Sequence, residues 1–292
     1  MRCLRKFEWV KLFRDKLPDG KGLFGFWTKL AVKVAYRKGV ALYCNYQNEV
    51  ERGTWVGGIV GVKSILGVKS RRQAIEILDK LTELGYIEYE IDKETKKLTY
   101  RVLDLVLLCN GEDCGAVYAV NGYGFLCVPR TLTERLTARN YVFEESDAWM
   151  DLWCHTVSED PSNAFSFFGA SVQYRFNAVL TLEYLGKRWG WEKTKVWRFF
   201  QKHKDVFRLE RVPGPKGCLI FNLWYPCETE EKCLDESRDL SKKSVALFAP
   251  IIRAYISLCW CCKYCNYDCI SNISNKPVIT GKIRGDSVKY FV

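Results

Sequence analysis

The sequence predicts an α+β protein in which one supersecondary unit occurs twice: helix, tight glycine turn, helix, strand hairpin. Three observations carry this prediction. Gly67 and Gly190 each sit between two helical patterns. Each second helix runs on into two strand patterns joined by a loop. The net charge of +11 is also concentrated around the two units. Residues 1–110 carry net +8 and residues 161–227 net +7, separated by −6 at 111–160 and followed by +2.

In the first unit, Phe26–Tyr36 has apolar residues at Phe26, Leu30, Ala31, Val34 and Ala35, a helical spacing. Gly53–Leu66 follows, with a short strand at Thr54–Val56 and a helix ending near Leu66. Gly67 breaks the pattern, Val68 faces the core and Ser70 caps the helix Arg71–Leu84. Ala74, Leu78, Leu81 and Leu84 make one apolar stripe, and Gly85 ends it. Tyr86–Ile91 and Leu98–Val102 read as strands around the polar turn Asp92–Lys97. This order is that of a winged helix-turn-helix.

The second unit repeats it. Val179–Trp189 is a Thr181-capped helix, Gly190–Lys193 the turn and Thr194–Lys204 the next helix. Val206–Glu210 and Cys218–Leu223 are strands around a two-proline loop. The predicted organisation is a winged-helix domain at 7–108, a mixed connector at 109–143 and a second winged-helix domain at 144–226. A charged linker and Cys-rich tail follow at 227–292. Glu144–Val157 reads as an acidic amphipathic helix that packs for the second domain.

Composition narrows the function. With 48% hydrophobic and 27% charged residues, the 292-residue chain is neither disordered nor of membrane type. Ser244–Cys262 is nearly apolar and about span length, but Arg253 is central and Pro250 interrupts it. A central Arg costs about 2.5–3.5 kcal/mol, so the segment is read as buried or partner-bound. Met1–Val10 carries charges with no apolar run behind them, so the 14 cysteines are read as reduced and the chain as cytoplasmic.

A helix-turn-helix places its second helix in the major groove of duplex DNA, and its hairpin meets phosphates. In the first unit the candidate contacts are Ser70, Arg71, Arg72 and Gln73 on the helix, with Lys93, Lys96 and Lys97 in the hairpin. Arg suits guanine and Gln suits adenine, which favours sequence-specific reading. In the second unit Lys193, Thr194, Lys195 and Arg198 take the same places, with Lys216 in the wing. One copy or both can fill this role, and a copy that does not would be a protein-docking domain with solvated charges. Trp197 is read as packing on Trp191, with contact to DNA as the alternative.

Cys259, Cys262, Cys265 and Cys269 have the spacing that starts a bacterial iron–sulfur run, yet no proline follows Cys269. Zinc and metal-free reduced thiols are the alternatives. Enzyme readings are weak. The two histidines, His155 and His203, are far apart in sequence, and Cys154 diverges from His155 on a helix. The doubled Gly-Val-Lys-Ser at 61–64 and 67–70 lacks a glycine before either lysine, as a phosphate loop requires. Glu144, Glu145, Asp147 and Asp151 read as a solvated helix face.

A family resemblance rests on these residues. Trp9–Arg14 (WVKLFR), the helix after it and Gly53–Asp104 resemble the N-terminal winged-helix domain of DnaD-like and phage replisome-organiser proteins. Val179–Trp197 (VLTLEYLGKRWGWEKTKVW) resembles helix-turn-helix segments of the same replication proteins. Together with Gly124–Arg130 (GFLCVPR), the combination is similar to proteins carried on conjugative elements of Gram-positive bacteria. The resemblance spans roughly residues 8–225 and does not extend to the C-terminal DNA-remodelling domain of that family. It implies replication initiation or origin recognition on a plasmid, phage or conjugative element, with double-stranded DNA and replisome proteins as partners. A transcriptional regulator of such an element and a winged-helix adaptor remain alternatives.

Overall fold

The computed structural model describes residues 8–105, 122–157, 170–174, 178–211 and 217–225, and the backbone of 279–283 and 286–290. The fold is mixed α+β, with seven α-helices among the described residues and small antiparallel sheets. The chain divides into two compact units, Met1–Arg211 with Lys216–Glu230, and Val212–Pro215 with Glu231–Val292.

In the first unit, β1 (Trp9–Phe13) buries alternate residues, Val10 and Leu12, and pairs with β7 (Phe125–Pro129). Helix α1 (Leu23–Ala31) is buried along nearly its whole length. It starts before the predicted Phe26 and stops at Ala31. No local side chain caps its start. Instead, Gly22 N donates to Ser146 Oγ (3.0 Å) and Phe24 N to Asp147 Oδ1 (2.9 Å), both more than 120 residues away. The hairpin β2 (Gly39–Tyr43) and β3 (Tyr46–Val50) follows, at a place where the residue pattern predicts no strand.

Next come β4 (Thr54–Gly58), α2 (Ile59–Leu66) and α3 (Arg71–Glu83). Gly67 ends α2 at φ +70°, a left-handed angle that glycine adopts without strain. Ser70 Oγ accepts from Gln73 N (3.1 Å), the expected cap. Strands β5 (Ile87–Ile91) and β6 (Lys97–Val102) pair, and β4 joins the outer side of β6.

The order recurs after α4 (Glu134–Ala138), α5 (Glu145–Cys154), β8 (Thr156–Val157) and β9 (Ser171–Val172). Thr181 Oγ1 accepts from Tyr184 N (3.0 Å) and caps α6 (Leu182–Trp189). Gly190 ends α6 at φ +68°, matching Gly67. Then come α7 (Lys193–Lys202), β10 (Phe207–Arg211) and β11 (Cys218–Asn222). In the first copy β4 leads into α2 and pairs with β6. In the second, Leu180 immediately precedes the α6 cap and bridges to Cys218 in β11. The two copies therefore share the left-handed glycine turn and the strand pairing, while the side-chain cap sits on the second helix in the first copy (Ser70) and on the first helix in the second (Thr181).

They also share one core. A single apolar cluster runs from Val10 and Leu12 through α1, α2 and α3 to Trp153, Trp189, Phe199 and Ile220. The stretch read as a connector supplies Leu126, Val128, Leu132 and Leu136 to it. Helix α5 joins the halves and corrects the expectation of a solvated acidic face for Asp147 and Asp151, while Glu144 and Glu145 are exposed as expected. Every residue from Ser146 to Cys154 is buried. Trp149 meets Phe207 edge-on, Trp153 stacks on Trp149, and Trp153 Nε1 donates to Lys11 O (2.8 Å).

The two buried acids of α5 point to different copies. Asp147 accepts from Phe24 N and, on its other oxygen, from Glu144 N (2.9 Å each). Burial raises its carboxyl to about 6, against the pull of these two hydrogen bonds. Asp151 accepts from Arg188 Nε (2.8 Å), Trp189 Nε1 (2.8 Å), Tyr174 OH (2.6 Å) and Thr133 Oγ1 (2.6 Å). Burial by itself would raise Asp151. His155 and Arg188 outweigh it and hold the carboxyl below the ordinary range. Buried charges persist when every oxygen is hydrogen-bonded, which a pattern of apolar and charged letters does not reveal.

In the second unit, β12 (Ile279–Ile283) and β13 (Asp286–Tyr290) form an antiparallel hairpin.

Candidate nucleic-acid interface

The candidate residues of the first copy lie at the start of α3 and in the β5–β6 turn. Ser70, Arg71, Arg72 and Gln73 are all exposed. Besides Ser70, which caps the helix, two of them have intramolecular work. Gln73 Oε1 accepts from Lys69 N (3.4 Å), and Arg72 Nε donates to Glu76 Oε1 one turn on (2.9 Å). At 90% exposure Arg72 gains little from that surface pair and can exchange it for another anion. Beyond its first turn, α3 presents Glu76, Asp79 and Glu83 to solvent against one exposed cation, Lys80, so this part of the helix is net acidic.

In the turn, Asp92 Oδ1 accepts from Glu94 N (2.9 Å) and Oδ2 from Thr95 Oγ1 (2.5 Å). These hydrogen bonds lower its carboxyl. Lys96 holds a left-handed backbone, φ +57°. Lys93 and Lys96 are exposed, whereas Lys97 is half-buried and its Nζ donates to Asn48 Oδ1 (3.2 Å).

The second copy is charged differently. From Lys193 to Lys204 the sequence KTKVWRFFQKHK has no acid. Val196, Phe199 and Phe200 face the core, leaving Lys193, Thr194, Lys195, Trp197, Arg198, Gln201 and Lys202 outside. Lys193 pairs with Glu183 and Lys202 with Glu145, both on neighbouring elements. Lys195 Nζ lies 4.2 Å from the Trp191 ring centroid, a cation–π contact. The expectation for Trp197 is corrected. Trp191 enters the core against Trp189 and Phe199, while Trp197 is 37% exposed with Arg211 over its ring at 5.9 Å. A residue at 197 falls between the apolar positions 196 and 199/200, a signal the sequence held.

Lys216 and the cysteines Cys259, Cys262, Cys265 and Cys269 lie outside the described residues, as does the segment 244–262. Among the described residues no group of three or more His, Cys, Asp or Glu side chains is placed to hold a metal ion. No helix among them is long and apolar enough to cross a membrane. Cys154 is fully buried, and burial pushes its thiol up, away from the thiolate form.

Comparison with protein-family models, curated proteins and solved structures finds no match to this chain.

Proposed function

We propose that this chain is a sequence-specific, double-stranded DNA-binding protein without catalytic activity, and that its two repeated units are winged helix-turn-helix readers. The observation that carries the reading is the exposed face of α7. Seven outward residues contain four cations, an exposed Trp, a Thr and a Gln, and no acid. Such a face suits phosphates at its ends and base edges at its centre. Helix α7 is then the principal reading helix, with Thr194 and Arg198 its base contacts. The basic first turn of α3, Arg71 with Arg72, is the second, weaker contact. The reading does not depend on the tail, where Cys259, Cys262, Cys265 and Cys269 are either metal-free reduced thiols or a zinc site.

The biological role follows the resemblance to DnaD-like and phage replisome-organiser proteins: origin recognition in the cytoplasm for a plasmid, phage or conjugative element, with replisome proteins as further partners. The shared core supports a further feature. Two reading helices set on one core require a composite site with fixed spacing. The test is to sequence the DNA fragments that the purified full chain retains from a fragmented replicon, and then to vary the spacing. Inserting about half a helical turn, roughly five base pairs, between the two halves of the site moves one half to the opposite face of the duplex. Binding should then fall to the level of one half-site. Retention of no fragment above background, or binding without salt dependence, would reject the reading.

A further inference from the structure

Helix α7 has two flanks as well as an outward face. Its buried side is Val196, Phe199 and Phe200. On the opposite side Thr194, Arg198 and Gln201 recur at helical spacing and form an exposed stripe. Lys193 and Lys202 are separated by about two and a half turns, so they stand on opposite flanks of that stripe. Lys195 lies on the same flank as Lys202. A helix seated in a major groove has one phosphate backbone along each flank. The two end lysines therefore stand where phosphate oxygens come closest.

Each of these lysines already holds an anion. Lys193 Nζ donates to Glu183 in the first turn of α6, and Lys202 Nζ donates to Glu145 in the first turn of α5. His203 Nε2 lies 3.7 Å from the same Glu145 oxygen. The hydrogen bond from Lys202 is the main reason that the Glu145 carboxyl sits below its ordinary value. The two acids come from different helices, yet they meet one helix, one acid on each flank. Lys195 and Arg198, between them, have no acid partner among the described residues. Both pairs are exposed enough to open, since the four side chains keep 46–61% of their surface in solvent. An exposed pair of this kind is worth roughly 1.4- to 5-fold in an equilibrium constant. A phosphate can displace a carboxylate held that weakly.

We propose that Glu183 and Glu145 are positioning residues of the reading helix, each holding an end lysine where a phosphate oxygen will take the carboxylate's place. Docking on duplex DNA then exchanges two internal carboxylates for two backbone phosphates. The inference rests on the duplex-binding reading of the preceding subsection and deepens it. Each displaced carboxylate draws a cation back from solution, so the exchange releases fewer ions than a free lysine would. Affinity for any duplex is lowered by the strength of the two pairs, and its salt dependence is shallower than four free cations would give.

The experiment uses the full chain and a mixed-sequence duplex of about 30 base pairs, titrated at several salt concentrations. Glu183→Gln, Lys193→Gln and the two together form one double-mutant cycle, and Glu145→Gln, Lys202→Gln and the two together form the second. Thermal unfolding of each variant should match the wild type within a few degrees, because the pairs lie at the surface. Each Glu→Gln change should strengthen binding by roughly 1.4- to 5-fold and steepen the slope of log K against log salt by up to roughly 0.9. The gain should vanish without the lysine: each double variant should bind no better than its Lys→Gln variant. If the Glu→Gln change strengthens binding as much without the lysine as with it, the acid acts through net charge alone. That result overturns the exchange and leaves the duplex-binding reading standing, as do an affinity and slope that neither Glu→Gln change moves. A wild type that binds no duplex overturns both.

Discussion

Removing the Asp151 carboxylate should undo both copies together. Asp151→Ala leaves the Arg188 guanidinium, 13% exposed, facing an empty site. It also deprives Trp189 Nε1, Tyr174 OH and Thr133 Oγ1 of their acceptor. Breaking a buried ion pair from one side costs about 3–5 kcal/mol. The orphaned donors would add about 1–3 kcal/mol each if independent, but they share one oxygen pair with Arg188, so about 5 kcal/mol in all is the working figure. A folded domain holds about 5–15 kcal/mol in total, so a third or more of the stability is at stake. For a unit of this size that corresponds to a Tm about 10–20 °C lower. Urea unfolding followed by Trp fluorescence measures the change, and hydrogen exchange locates it. One core implies one transition, with the amides of α3 losing protection alongside those of α6. A loss below about 2 kcal/mol would refute the account of the network. Separate transitions for the two halves would refute the shared core.

Other consequences are testable in the same way. Gly186→Ala should be strongly destabilising, because the new Cβ would lie 2.5 Å from the Trp191 carbonyl oxygen; Gly67→Ala, in open space at φ +70°, should cost only about 1–2 kcal/mol, and equal thermal shifts would contradict this. Asp147 has a folded value of about 6 against 3.8, so the folded state binds its proton more tightly; its contribution is fully present below pH 3.8 and is lost as pH rises through 6, by about 3 kcal/mol. The difference in urea stability between wild type and Asp147→Asn should slope across that window, and a flat difference would refute the shift. Thr194→Ala with Arg198→Ala should weaken binding to the retained DNA site by about 1–3 kcal/mol for each base no longer read and relax its sequence preference, whereas Arg71→Ala with Arg72→Ala should cost less; the reverse order in a competition assay would make α3 the main reader. Lys93→Gln with Lys96→Gln should lower the slope of log K against log salt by roughly 0.9 for each phosphate no longer neutralised, and an unmoved slope would turn this hairpin away from DNA.

Local chemistry sets the repeated unit. Gly67 and Gly190 are needed at left-handed backbone angles, and Ser70 and Thr181 cap the helices that follow, each through an amide three residues on. Signals this short-ranged survive in the sequence, because the partners are only a few residues apart. The acid-free run of α7 is equally legible, since charge is written residue by residue.

What the sequence does not carry is set at long range. Helix α1 begins where Ser146 and Asp147 supply its cap, so no local letter marks Leu23 as the start. Asp147 and Asp151 look like a solvated face because burial of a carboxylate depends on donors contributed by Phe24, Arg188, Trp189, Tyr174 and Thr133, scattered along the chain. Hairpin β2–β3 is illegible because neither face has a uniform pattern: Val40 and Leu42 lie opposite Glu49 and Gln47, Ala41 lies opposite Asn48, and the residues that hold the hairpin (Ala35, Val56, Gly58, Lys96 and Lys97) are outside it. Two copies of one motif, and the charge each bears, can thus be read from neighbouring residues alone. That the copies share a core belongs to the folded chain, because the buried hydrogen bonds that join them have no sequence period.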